Sequence, residues 1–147
     1  EQWEQAGIKT YHFDDAAVIS ATKKAPQWIH FGGGNIFRAF IAKIEQSLLE
    51  HSLTSTGIIV STTHNKEVIT KLYRPYDNLS MAVTMHADGR LDKEIIGSIV
   101  ESLTCDPEDH DDWQRLQNIL RNCYHKAFPM YSHQTGYFCI LHRRDPG

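Results

Sequence analysis

The sequence predicts an α/β fold with a mostly parallel, twisted sheet and an added β-hairpin. Two short apolar runs, 28–31 and 57–60, are typical of buried strands. Between them, apolar residues recur at helical spacing over 36–50. Further along, the turn sequence Ala87-Asp88-Gly89-Arg90 separates two strand-like stretches, and Asp-Gly supplies the positive φ that a tight hairpin turn needs. Strands that alternate with an amphipathic helix favour a parallel arrangement.

Composition limits the functional classes. The chain has 147 residues, of which 41% are hydrophobic, which fits one ordinary domain. A net charge of −3 argues against a general nucleic-acid binder. No run approaches the roughly 20 apolar residues of a membrane span, and the acidic, polar start is unlike a signal peptide. Three cysteines without a C-x-x-C pair fit a reducing compartment, so we expect a cytoplasmic protein.

The first 27 residues are expected to form a lead-in, and residues 28–147 a dinucleotide-binding domain. Within the lead-in, Asp14 or Asp15 is a candidate cap for a short helix over 16–22, which Pro26 ends. A second helix is expected over 66–73, before Pro75.

The remaining elements follow the same patterns. Strands are expected over 80–86 and 91–99, on either side of the tight turn, and over 131–141 in the tail. The acidic segment 106–112 precedes an apolar pattern with helical spacing, so its carboxylates are interpreted as helix-start residues that oppose the macrodipole. The alternative interpretation of this segment is a metal site formed by its carboxylates. None of the nine histidines forms a zinc-binding spacing, and no metal site is predicted.

The most informative stretch is the glycine turn Gly32-Gly33-Gly34-Asn35, between the first strand and the helix. Glycines after a buried strand allow a tight turn and let a phosphate approach backbone N–H groups. The helix that follows offers its positive N-terminal end to the same phosphate. Strand, glycine turn, helix and strand open a dinucleotide-binding unit, and a purely structural β–α turn is the competing interpretation.

Two features depart from the usual dinucleotide fingerprint. The third glycine position falls on Phe37, with small Ala39 two residues later. The second strand is followed by Ser61-Thr62-Thr63-His64, where an acid would normally hold the adenosine ribose. Ser and Thr tolerate a 2′-phosphate better than Asp does, but no arginine lies beside them. NAD and NADP therefore both stay open as cofactors.

The sequence of residues 28–40, WIHFGGGNIFRAF, resembles the N-terminal signature of the mannitol dehydrogenase family. Further stretches that look like one bacterial branch of this family are LYRPYDNL at 72–79, ADG at 87–89 and IGSI at 96–99. The resemblance runs from about residue 3 to about residue 121. Beyond Asn122 the sequence departs from the family, which makes a fragment boundary or a frame change an expectation.

The resemblance implies a Rossmann-type domain of an oxidoreductase that moves hydride between NAD or NADP and a polyol, ketose or hexuronate. It implies cofactor contacts for five residues that match the family's phosphate loop, namely Gly32, Gly34, Asn35, Ile36 and Arg38. Gly33 belongs to the same turn. Thr62 and His64 are candidate contacts at the ribose end.

The family's catalytic lysine, with its Asn and His partners, lies in a helical C-terminal domain that these 147 residues lack. No catalytic residue is therefore assigned, and an incomplete N-terminal domain of a longer enzyme is expected. The alternative is a nucleotide-binding or interaction module without catalysis. A methyltransferase is a third hypothesis, although His30 and Phe31 stand where such enzymes usually place an acid. No G-x-S-x-G sequence supports a hydrolase.

Overall fold

The computed structural model of the chain describes residues 2–121, 123–128 and 137–143. The helices are α1 (Gln2–Gln5), α2 (Asp15–Lys24), α3 (Ala42–Glu50), α4 (Lys66–Val68) and α5 (His110–Arg121). The strands are β1 (Ile8–Lys9), β2 (Trp28–Phe31), β3 (Ile58–Thr62), β4 (Ser80–Met85), β5 (Leu91–Ile96), β6 (Ile99–Thr104), β7 (Cys123–Phe128) and β8 (Tyr137–Arg143). Two π-helical turns, Phe37–Ile41 and Ile69–Tyr73, and a 3-10 turn, Arg74–Tyr76, complete the described elements.

The main sheet has five strands in the order β6-β3-β2-β8-β7. The strands β6, β3 and β2 run parallel, whereas β8 pairs antiparallel with both β2 and β7. The predicted first strand is therefore central, and the α/β fold class with a parallel core of strands is confirmed. Part of the expected tail strand 131–141 lies outside the described residues, and the described part belongs to β8.

The predicted hairpin is formed by β4 and β5, which pair from Ser80↔Ile96 to Met85↔Leu91. Its turn contains Gly89 at φ +86°, a backbone conformation that suits glycine. β1 adds a parallel strand to β5, which gives a separate three-stranded sheet.

Two expected elements are divided in the structure. The stretch 91–99 was expected as one strand, but β5 ends at Ile96 and β6 begins at Ile99 in the other sheet. Gly97 and Ser98 make this change of sheet, and an apolar pattern alone does not show where a chain moves from one sheet to another. The expected helix 66–73 is α-helical only over α4 and continues as a π-helical turn.

Helices cover both faces of the parallel strands. On one face, Phe37 and Ile41 pack with Ile58 and Val60 of β3. On the other face, Leu116 and Ile119 of α5 pack with Ile29, Ile59 and Leu103. This alternation of side chains along β3 produces a doubly covered sheet.

The helix over 37–50 buries a narrower stripe than its sequence predicts. Phe37, Ile41 and Leu49 are buried, as expected for core residues. Three further apolar residues lie on the exposed side at steps of four residues, namely Ile36, Phe40 and Ile44. The apolar spacing therefore predicted the helix correctly but overestimated the width of its buried face.

The lead-in is packed against the rest of the chain. The Asp14 side chain accepts a hydrogen bond from the Ala17 N–H, which confirms Asp14 as the cap of α2. The buried Thr22 hydroxyl accepts from the Gly57 N–H at 2.8 Å. Val18 packs with Leu49 and Val100, next to β6. The division of the chain at residue 27 remains a prediction.

A buried glutamine connects α3 with the hairpin. The Gln46 amide donates to the Ile95 carbonyl at 3.0 Å and accepts from the Gly97 N–H at 2.7 Å. One turn earlier, the Ala42 carbonyl accepts from the Ser98 hydroxyl at 2.6 Å. These bonds satisfy backbone groups where β5 ends and β6 begins, so they fix how the two sheets meet. Over the described residues, no helix combines the length and apolarity needed to cross a bilayer.

A buried carboxyl group lies on the same helix. Glu45 is 4% exposed, and burial raises the pKa of its carboxyl group to about 7, while the Thr54 hydroxyl has a smaller lowering effect. A carboxyl group whose pKa is raised on folding stabilises the folded state below its unfolded pKa. That stability is lost as the pH rises through the folded pKa.

We expect the free energy of unfolding to fall by up to about 3 kcal/mol as the pH rises from about 5 to 8, because Glu45 must ionise while buried. Glu45→Gln should remove most of this dependence and stabilise the chain at the higher pH. Urea denaturation at a series of pH values measures the effect. Glu67→Gln, an exposed acid that pairs with Lys71, is the control. An unchanged pH slope in Glu45→Gln would contradict the assignment.

Candidate functional site

The predicted site residues gather at one edge of the sheet. The glycine turn follows β2, and Thr62 is the last residue of β3. Because β2, β3 and β6 are parallel neighbours, their carboxyl ends meet at the same edge. In doubly wound sheets, ligands bind in the crevice outside these ends. The structure therefore places the turn and the segment after β3 side by side.

Gly32 supplies the conformational freedom of the turn. It has φ +119°, and its N–H donates to the Ser61 carbonyl at 2.7 Å. Gly34 does not have a positive φ, because the chain leaves the sheet two residues earlier. The turn thus needs glycine at Gly32 for its backbone, whereas Gly34 adopts an ordinary conformation.

Gly33 is fixed by a buried tyrosine that the sequence analysis missed. The Tyr73 hydroxyl donates to the Gly33 carbonyl at 2.9 Å, and Tyr73 is fully buried. A Cβ on Gly33 would lie 3.0 Å from the Tyr73 ring and 3.2 Å from Val68. Burial raises the pKa of the Tyr73 hydroxyl, and the charge of Arg38 lowers it by a smaller amount. The tyrosine therefore stays protonated and keeps donating its hydrogen bond.

Gly34 stands at the open side of the turn. It is exposed, and a Cβ there would meet no atom of the described residues within 4 Å. Its carbonyl accepts from the Arg38 N–H at 3.1 Å, which is an i→i−4 helical bond. The first N–H groups of a helix have no partner within that helix and carry its positive end. Space beside Gly34 and these N–H groups together suit an anionic group.

Arg38 adds a full positive charge to the turn. Its Nη2 donates to the Asn35 side chain, and its guanidinium lies 5.9 Å from the centre of the Tyr73 ring. This distance is within the range of a cation–π contact. The buried Arg38 Nε has no hydrogen-bond partner among the described residues. Asn35 and Arg38, two of the predicted residues, therefore act as one unit, while Ile36 is exposed beside them.

The two candidates at the carboxyl end of β3, Thr62 and His64, differ in exposure. Thr62 is buried, and its hydroxyl donates to the Asn65 carbonyl at 3.2 Å. His64 is exposed. The Asn65 side chain accepts from the Glu67 N–H at 3.1 Å and caps α4. Thr62 therefore shapes the loop, and His64 is the predicted residue here that faces solvent.

A charged pair that the sequence analysis missed also lies at this edge. Lys66, at the start of α4, forms an ion pair with Asp106, two residues after β6, and its ammonium lies 3.7 Å from the Glu108 carboxylate. The pair holds the pKa of Asp106 below its usual range, and the hydrogen bond to Asp106 raises the pKa of Lys66. Residues so far apart in sequence give no local pattern from which such a pair could be found.

Asp111 and Asp112 lie in the first turn of α5, as the helix-start interpretation expects, and two acids of this segment also bind polar groups outside the helix. The Thr104 hydroxyl donates to Asp109 at 2.9 Å, and the Thr104 N–H donates to Asp112 at 2.6 Å. Asp112 also pairs with Arg74. Among the described residues, no group of three or more His, Cys, Asp or Glu side chains is placed to hold a metal ion.

Comparisons with known proteins show what the chain is similar to. No protein-family model matches it. It is 50% identical over 120 residues to a D-mannonate oxidoreductase of Thermotoga maritima, a match that covers 82% of this chain and 22% of that protein. The chain thus spans about a fifth of the length of this curated relative.

Two solved structures share the fold. A D-sorbitol dehydrogenase in substrate-free form has a TM-score of 0.57 and 24% identity, over 70% of this chain and 21% of its own. A mannitol 2-dehydrogenase of Pseudomonas fluorescens, solved as a ternary complex with NAD and D-mannitol, has a TM-score of 0.60 and 18% identity, over 80% of this chain and 23% of its own. These structures confirm the Rossmann-like fold class predicted from the sequence.

We expect Gly33→Ala to lower the free energy of unfolding by about 1–3 kcal/mol, because the added methyl group would press on a ring that is buried and hydrogen-bonded. Gly34→Ala is the matched control, since open space surrounds that position. It should change stability by no more than about 0.5 kcal/mol. Equal effects of the two substitutions in chemical denaturation would show that Tyr73 does not constrain the turn.

Proposed function

Because the chain belongs to the mannitol dehydrogenase family, we propose that it is the NAD(P)-binding part of an oxidoreductase that transfers hydride between a nicotinamide cofactor and a polyol, ketose or hexuronate. In this proposal, residues 28–147 form the dinucleotide-binding domain. The hydride-carrying ring would come from the cofactor, and the chain's own residues would bind and orient the rest of that molecule.

The glycine turn carries the proposal. The open space at Gly34 is where a pyrophosphate would approach the backbone, and the start of the helix would direct N–H groups at it. The positive φ of Gly32 gives the turn its shape, and the hydrogen bond from the Tyr73 hydroxyl fixes the Gly33 carbonyl. The fit is therefore one of shape and of charge, since none of the described residues fills the position that a phosphate would take.

The flanking residues have distinct roles in this proposal. Asn35 and Ile36 line the exposed start of the helix, and Arg38 supplies a positive charge next to the phosphates. Thr62 shapes the loop after β3, and His64 is exposed at the expected ribose end. These roles follow from position and exposure at a shared sheet edge, which is where such cofactors bind in doubly wound folds.

The substrate class rests on the relatives. Their names refer to D-mannonate, D-sorbitol and D-mannitol, which are small polyhydroxylated molecules. We infer that the full-length protein acts on a small sugar, sugar acid or polyol. No side chain of the described residues is assigned as catalytic, and the relatives have most of their length outside the matched part.

A nucleotide-binding or interaction module without catalysis is the second candidate function. It is favoured by the described residues, which form a candidate phosphate turn and include no side chain assigned to transfer the alcohol proton. Under both candidate functions, we expect the 147-residue chain by itself to bind a dinucleotide and to show no turnover.

We expect Gly34→Val to abolish binding of NAD and NADP while the melting temperature stays close to that of the unchanged chain. The branched side chain has room in the folded chain, but it would occupy the place of the pyrophosphate. Calorimetric titration with each dinucleotide measures the loss, and Gly34→Ala should show a smaller one. Unchanged affinity in Gly34→Val would reject the phosphate-loop assignment.

We expect the 147-residue chain to bind a nicotinamide dinucleotide weakly, with a dissociation constant in the high micromolar range or above as an order-of-magnitude value. It should oxidise no polyol and reduce no ketose, because a partial cleft leaves the reacting groups unpositioned. Absorbance of the reduced nicotinamide, followed with mannitol, fructose, fructuronate and tagaturonate, tests this. Turnover by the purified chain would show that a catalytic group lies within it.

A further inference from the structure

The Lys66–Asp106 ion pair lies where the candidate site would meet the adenosine ribose. We propose that this pair, together with Glu108, makes the site prefer NAD over NADP. The inference rests on the proposed function, since it concerns the cofactor of the same site. It assigns a specificity role to residues that follow two different strands.

The backbone brings these residues together. Thr62 and Thr104 end neighbouring parallel strands in register. Beyond them, the Cys105 N–H donates to the Thr62 carbonyl at 2.9 Å, so the two loops leave the sheet side by side. Asp106 follows at once, with its side chain 15% exposed, and Lys66 reaches it from the start of α4.

Asp106 offers the carboxylate that the end of β3 lacks. In the usual dinucleotide unit, an acid after the second strand accepts hydrogen bonds from the ribose hydroxyls of NAD. Here Thr62, Thr63 and His64 occupy those positions. The Asp106 carboxylate, which follows the next parallel strand, lies at the same edge of the sheet. Its Oδ1 accepts a hydrogen bond from the Glu108 N–H at 3.0 Å, and this bond fixes the orientation of the carboxylate.

The charges around this position oppose a 2′-phosphate. That group would bring about two negative charges next to the carboxylates of Asp106 and Glu108. Lys66 is the cation that could balance them, but its ammonium already binds Asp106 and lies 3.7 Å from Glu108. Arg74, on the segment that follows, is paired with Asp112. A neutral 2′-hydroxyl requires none of these pairs to break.

The test compares the affinities of NAD and NADP by calorimetric titration. The unchanged chain should bind NAD at least about 10-fold more tightly, and the ratio should shrink between about 50 mM and 500 mM salt, because screening weakens charge repulsion. The double variant Asp106→Asn, Glu108→Gln frees Lys66 and should tighten binding of NADP by about 10-fold or more, whereas NAD should bind more weakly because its ribose hydroxyls lose the Asp106 carboxylate as acceptor. Adding Lys66→Gln should cancel the gain for NADP.

Glu67→Gln is the control for charge removal as such, because it removes one negative charge from α4 at a carboxylate that pairs with Lys71 and not with Lys66. It should leave the NAD-to-NADP ratio within about twofold of the original value. Melting temperatures of all variants exclude unfolding as the cause of a change. Equal binding of both dinucleotides, or a gain for NADP that survives Lys66→Gln, would overturn the preference alone. Binding of neither dinucleotide to the folded chain would overturn the proposed function as well.

Discussion

The hydrogen bond from Tyr73 to the Gly33 carbonyl is the constraint on which the candidate site depends. It joins the turn after β2 to the segment after α4, so two loops separated by 40 residues form one edge. The same ring packs beneath the guanidinium of Arg38, which in turn bonds Asn35. One buried aromatic side chain therefore fixes the backbone of the turn through its hydroxyl and positions the charge of Arg38 through its ring.

The fold could be predicted where a pattern is local. The apolar runs gave β2 and most of β3, the helical spacing gave the helix over 37–50, and Asp-Gly gave the hairpin. The sequence did not show where one sheet ends and the other begins, because that boundary is set by contacts from Gln46, a polar residue inside a helix. Hydrogen bonds of this kind join residues that are distant in sequence, and the spacing of apolar residues does not predict them.

The site shows the same division. Gly32 to Arg38 could be predicted because a glycine turn between a strand and a helix has a recognisable order of residues. Tyr73 and the Lys66–Asp106 pair could not, since each acts on a partner many positions away. In the sequence, Tyr73 looks like an ordinary core residue of a short helix. Its hydroxyl can reach the Gly33 carbonyl only once β2 and β3 lie side by side. Thr62 illustrates the intermediate case, because its position was foreseen but its bond to Asn65 was not.

The π-helical turns at Phe37–Ile41 and Ile69–Tyr73 bear on how this chain can change in length. In each turn a backbone N–H bonds to the carbonyl five residues earlier, Ala42 to Phe37 and Arg74 to Ile69, so the turn holds one residue more than an α-helical one. Losing a residue from a regular helix rotates everything after it by about 100°. Losing one from these turns instead restores α-helical bonding and keeps both flanks facing the core. Single-residue gaps between relatives are therefore best accommodated at these two places, the second of which ends at the tyrosine that supports the glycine turn.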